Sequence, residues 1–185
     1  MTHKTTVMLA GISGVGKTTF LNRLKSELSF QHLTAGSLIS AAKEAKKNER
    51  DELRLSDIDE NQRLLIQGLS LARDRYSPLI ILDGHVVIHT ASGLEAINSE
   101  VFRALGINAI LHLVGTAEQI LENRTREIGR NRPLLSLQEL EDHQSFSILT
   151  ASTLSRTLDI PWLKVTSADS SLVKTFLSHV KESCS

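Results

Sequence analysis

The sequence predicts an α/β fold in which a parallel sheet carries helices on both faces. Three observations predict it: an all-apolar run at 79–82 and a mainly apolar one at 109–114, helical spacings between and after them, and a glycine-rich loop between a β-prone run at 5–10 and a helical pattern at 18–28. All-apolar strands belong to sheets buried on both faces, and strands alternating with helices imply βαβ units.

Taken in order, residues 5–10 form a β-prone run that enters Gly11, and Leu21, Leu24 and Leu28 mark the helix beyond the loop. Residues 30–34 make a weaker strand, and the lysine-rich stretch 37–50 reads as a surface helix. A second helix over 56–74 carries Ile58, Gln62, Leu65, Leu69 and Ala72 on one face, with the Gln62 amide interrupting an apolar stripe. Pro78 opens the strand 79–82, which ends in Asp83-Gly84-His85. Helices are expected over 94–105, 117–127, 136–158 and 172–180, with strands at 109–114 and 162–166.

At 185 residues the chain fits one domain. Apolar residues make up 41% and charged residues 23%, which excludes disorder as a whole-chain description. Twenty-one basic side chains balance 21 acidic ones, so bulk charge gives no basis for nucleic-acid binding. No apolar run approaches the ~20 residues of a membrane span. The single cysteine, Cys184, excludes an intrachain disulfide and a cysteine-based metal cluster, and a cytoplasmic location is expected.

Residues Gly11-Ile12-Ser13-Gly14-Val15-Gly16-Lys17-Thr18 match GxxxxGK[ST] at every fixed position, between a strand and a helix as the chemistry requires. Glycines let backbone N–H groups turn toward phosphate oxygens, and the following helix adds the positive end of its dipole. The ATP-phosphate set is therefore Gly11, Ser13, Gly14, Val15, Gly16, Lys17, Thr18 and Thr19, with Lys17 reaching the β- and γ-phosphates and Thr18 ligating Mg²⁺. Asp83, at the carboxyl end of a strand, is the second expected Mg²⁺ ligand, against the alternative of a turn cap. His85 either touches a phosphate, orients a water or is structural. Arg124, Arg126, Arg130 and Arg132 fall within nine positions, and their planar, permanent charges suit a phosphate clamp. Of these, Arg124, Arg130 and Arg132 are expected to join Lys17 and Asp83 in catalysis.

On these residues, together with Arg50-Asp51-Glu52-Leu53-Arg54, Gln62, Asp83-Gly84-His85 and Glu141-Asp142-His143-Gln144, the chain resembles the archaeal-type adenylate kinases, which are P-loop nucleoside monophosphate kinases. It also resembles the related eukaryotic nuclear adenylate kinase and ATPase. The resemblance implies a five-stranded parallel sheet of order 2-3-1-4-5, a monophosphate-binding insert at about 36–75 and a lid at about 127–138. It places Arg50 and Arg54 near the acceptor phosphate, with Gly36, Gln62 and His85 as further acceptor contacts. The chain departs from the family at Ala35-Gly36-Ser37, at 89–94, where prolines and tyrosine are missing, and at Ser147-Ile148, where Asn-Arg is usual.

The expected activity is transfer of the ATP γ-phosphoryl to a nucleoside monophosphate, AMP first. The alternatives are another small-molecule kinase and a regulatory ATPase acting through a protein partner. No NKxD-type guanine-reading sequence follows the later strands, which argues against a GTPase switch.

Overall fold

The computed structural model describes residues 4–46, 60–73, 77–90, 92–126 and 135–183. Five strands form one parallel sheet: β1 (Thr5–Ala10), β2 (Gln31–Thr34), β3 (Leu79–Asp83), β6 (Ala109–Leu113) and β7 (Trp162–Val165), in the spatial order β2-β3-β1-β6-β7. Counting only these five, the order is 2-3-1-4-5, as the resemblance implied. Every residue of β1 and β6 is buried, which accounts for their nearly continuous apolar sequence.

Successive side chains along each strand enter different cores. Val7, Leu9, Ile81 and Leu111 pack with Phe20 and Leu24 of α1 (Lys17–Lys25) and with Val173 and Leu177 of α7 (Ser170–Ser183). Met8, Ala10, Leu82 and Ile110 pack on the other face with helices α2 (Ala35–Lys46), α3 (Glu60–Ala72), α4 (Ser99–Ala104) and α6 (Leu137–Leu158). The 22-residue α6 starts at a reciprocal capping box, in which Ser136 accepts from the Glu139 backbone N–H and Glu139 accepts from that of Ser136. The Ser136 backbone N–H and hydroxyl both donate to the Glu139 carboxylate and hold that carboxyl below its ordinary pKa.

Helices α2 and α3 meet backbone to backbone. A Cβ on Gly68 would stand 2.1 Å from the Leu38 carbonyl oxygen, so only glycine allows this approach.

The expected helix over 94–105 is corrected by the structure. Its first part is a strand, β5 (Gly93–Ala96), paired antiparallel with β4 (Val87–Thr90), and the helix starts only after Asn98, whose side chain caps the Glu100 N–H. Gly93 takes φ 120°, a turn conformation that favours glycine, and Thr90 and Ser92 both donate to the Glu95 carboxylate across the turn. No described helix is long and apolar enough to cross a membrane.

Candidate active site

The loop between β1 and α1 takes positive φ at Gly11 (148°), Gly14 (92°) and Gly16 (97°), conformations a side chain would strain. Ser13, Gly14, Gly16, Lys17, Thr18 and Thr19 wall a polar cavity of about 490 Å³. Val15 instead turns its side chain into the core, while its backbone N–H bonds to the Ile12 carbonyl at 3.3 Å. Lys17 is buried and donates to the Gly11 carbonyl oxygen at 2.9 Å.

Strand β3 delivers Asp83 to the same cavity. Its Oδ1 lies 3.7 Å from Lys17 Nζ and its Oδ2 lies 3.9 Å from His32 Nε2. Burial and the Lys25 charge hold His32 below the usual histidine pKa, against the opposing pull of Asp83. Thr18 and Asp83 thus bring a hydroxyl and a carboxylate to one cavity, the hard oxygen donors that Mg²⁺ takes. The glycine cradle and the buried Lys17 cation likewise fit a triphosphate.

A second cavity of about 190 Å³ adjoins the first, and Ala35, Gly84 and His85 line both. It is mainly apolar, built from Met8, Ile39, Leu65 and Leu82 among others, with the amides of Asn61 and Gln62 at its wall. Gln62 and His85 both line this cavity. Gly36 lines the polar cavity and not the apolar one.

Helix α5 (Ala117–Arg126) lies across the phosphate loop. The Arg124 stem packs so closely on Gly14 that a Cβ there would come within 2.5 Å of Arg124 Cγ. Arg126, paired with Glu122 at 2.6 Å, lines the polar cavity, as does Asn123. Asn123 Nδ2 donates to the Gly14 carbonyl at 2.9 Å. Asn123 carried no motif signal, since its partner Gly14 is 109 positions away, and Asn61 at the wall of the apolar cavity carried none either. Arg50, Arg54, Arg130 and Arg132 lie outside the described residues, as does Cys184.

Behind the site, His143 on α6 meets His89 edge-to-face with ring centroids 4.9 Å apart. His112 is fully buried and its Nε2 is 2.8 Å from Ser147 Oγ, so Ser147 at its divergent position serves a core histidine. Burial, then nearby Lys17, pushes His112 down to about 4. Burial, then His89 and Arg124, does the same to His143.

A glycine loop on a parallel sheet, with a buried lysine and a carboxylate at its mouth, defines a P-loop kinase, a phosphotransferase acting on nucleotides or small molecules. A family model described as "AAA domain" matches residues 10–141. An adenylate kinase from Pyrococcus abyssi is 30% identical over 149 residues, covering 76% of this chain and 75% of that one, and one from Methanococcus aeolicus is 27% identical, covering 83% and 88%. The chain belongs to the archaeal-type adenylate kinase family and also matches that AAA-domain model. Among solved structures, a sugar kinase from Janibacter sp. superposes with a TM-score of 0.54 at 19% identity, over 95% of this chain and 93% of that one, a likeness of fold.

Proposed function

We propose that the chain transfers the terminal phosphoryl group of ATP to a nucleoside monophosphate, with AMP as the first acceptor. The observation that carries this reading is the pair of abutting cavities, one polar and one apolar, with Ala35, Gly84 and His85 as their common wall. At about 190 Å³ the apolar cavity is smaller than the ~300–1,000 Å³ of pockets that enclose a whole small ligand. It suits a nucleobase whose phosphate points toward the common wall. A polyol would leave hydroxyls unpaired against Met8, Leu65 and Leu82, at about 1–3 kcal/mol each, which separates this reading from a sugar kinase.

Lys17 carries a desolvated charge where the transferred phosphoryl group accumulates negative charge, and such preorganised charge is worth more in a cavity than in water. Thr18 and Asp83 would hold Mg²⁺, which neutralises phosphate oxygens when bound. Arg126 lines the polar cavity and Arg124 packs on Gly14 beside it; with Arg130 and Arg132 they would form a cationic clamp over the phosphates, the last two from a lid at about 127–138. The segment at about 36–75 would bind the monophosphate, with Arg50 and Arg54 on its phosphate. Alignment of two reactants accounts for much of the rate, so the scheme needs no strong general base.

ADP formation from ATP and Mg²⁺, measured with a panel of monophosphates beside an acceptor-free blank, tests the proposal. Acceptor-dependent ADP production is expected. Production that ignores every acceptor would replace the kinase with an ATPase in which His85 orients water.

A further inference from the structure

We propose that Asn123 is a positioning residue for the phosphate donor, holding the phosphate loop to α5 through the Gly14 carbonyl. The inference rests on the reading of the polar cavity as the ATP-phosphate site. The bond from Asn123 Nδ2 to the Gly14 oxygen, 2.9 Å long, joins residues 109 positions apart and lies at the cavity wall.

The peptide unit it grips is planar, so fixing the Gly14 oxygen also fixes the Val15 N–H. That N–H is bonded to the Ile12 carbonyl at 3.3 Å, and the unit is therefore held at both ends. Committed to Asn123, the Gly14 carbonyl does not turn its negative end toward triphosphate oxygens. The grip is close: a Cβ on Gly14 would lie 2.5 Å from Arg124 Cγ and 3.1 Å from the Ile120 oxygen, so one turn of α5 abuts the loop.

Helix α5 is itself a firm support. Its Thr116 and Gln119 cap each other's backbone N–H, and Gln144 of α6 brackets Gly115 with two bonds of 3.0 and 2.9 Å. The α5 end of the tether is thus anchored to α6, and the Asn123 amide is a short rigid link from that anchor to the loop.

Calorimetry with ATP, inorganic tripolyphosphate and a monophosphate, on the parent chain, Asn123→Ala and Asn123→Asp, tests the proposal. Loss of one hydrogen bond should raise the Kd for both ATP and tripolyphosphate about tenfold, with monophosphate binding unchanged. Asn123→Asp, nearly isosteric, should bind both more weakly still, because its carboxylate repels both the Gly14 oxygen and the ligand. It carries the test if the alanine variant folds poorly. Weaker ATP with unchanged tripolyphosphate would overturn the proposal in favour of a base or ribose contact. Equal losses for donor and acceptor together with a lower Tm would overturn it in favour of a general structural role. If the parent bound neither ATP nor tripolyphosphate, the donor-site reading itself would fail, a result distinct from any change between variants.

Discussion

His85 Nδ1 lies 3.0 Å from the carbonyl oxygen of Gly11, the same oxygen that receives Lys17 Nζ at 2.9 Å. A carbonyl only accepts, so a neutral His85 carries its proton on Nδ1 and keeps Nε2 as its basic atom. One oxygen at the end of β1 therefore orients both the donor-side cation and the imidazole on the wall between the cavities. That shared anchor joins the phosphate loop to the Asp83-Gly84-His85 turn.

Lys17→Ala should keep the fold and lower turnover by ~10²–10³, the usual consequence of losing one charge donor aimed at the transition state. Steady-state kinetics checks the rate and circular dichroism the fold. Near-normal turnover would remove Lys17 from the mechanism.

Asp83→Asn preserves volume and removes the charge beside Lys17. The Mg²⁺ concentration for half-maximal rate should rise by about tenfold or more, since hard cations favour anionic oxygen. A magnesium titration of initial rates reads the change, and an unaltered midpoint would leave Asp83 a structural turn residue.

Much of the phosphate-loop side of the polar cavity was legible in sequence because its determinants are local. The phosphate loop is one contiguous motif, and β1, β3 and β6 are short, mainly apolar runs. The β4–β5 hairpin was not legible, since the spacing from Leu94 to Leu105 imitates a helix while the pairing of Ile88 with Glu95 depends on a turn. The apolar cavity was equally hidden: Met8, Ile39, Leu65 and Phe102 come from β1, α2, α3 and α4 and share no sequence signature. Arg126 stood out less than its neighbours in sequence, yet it lines the polar cavity, because the position of α5 on the loop decides which arginine faces inward.

Gly68→Ala should destabilise the α2–α3 pair, since the added methyl has backbone as its nearest neighbour and cannot be accommodated by a rotamer change. Overpacking of this kind costs ~1–3 kcal/mol, roughly 2–12 °C in Tm for a chain of this size. The apolar cavity is built partly from these helices, so the monophosphate KM should rise as well. Thermal unfolding and acceptor kinetics measure the two effects.

Acid should destabilise the chain well before its carboxylates titrate. His112 and His143 are pushed from the ordinary 6.5 to about 4 when folded, chiefly by burial, so between those values the unfolded chain binds more protons and stability falls as pH falls. Well above pH 6.5 the unfolded chain binds no extra proton at these positions and neither histidine contributes a slope. Tm should therefore drop between pH 7 and pH 5, and His112→Asn, which removes one titrating group and offers Ser147 an amide, should make the drop shallower. An identical slope in that variant would assign the acid sensitivity elsewhere.

The apolar cavity yields the sharpest separation between the two activities. Gln62 supplies one of two amides at a wall otherwise lined by side chains such as Met8 and Leu82, so it is placed to pair with the polar edge of a base that the apolar side chains enclose. Gln62→Leu keeps much of the bulk and removes the pairing, leaving that edge of a bound base unsatisfied at about 1–3 kcal/mol. The monophosphate KM should rise by roughly ten- to a hundredfold, while ATP affinity stays unchanged, because Gln62 lies outside the polar cavity. The loss should also differ between bases, being greatest for the preferred acceptor. Kinetics with AMP, GMP and CMP on the parent and the variant checks all three statements. A hydrolase that uses only water would show none of these changes, so an unaltered rate profile in Gln62→Leu would count against the apolar cavity as the acceptor site.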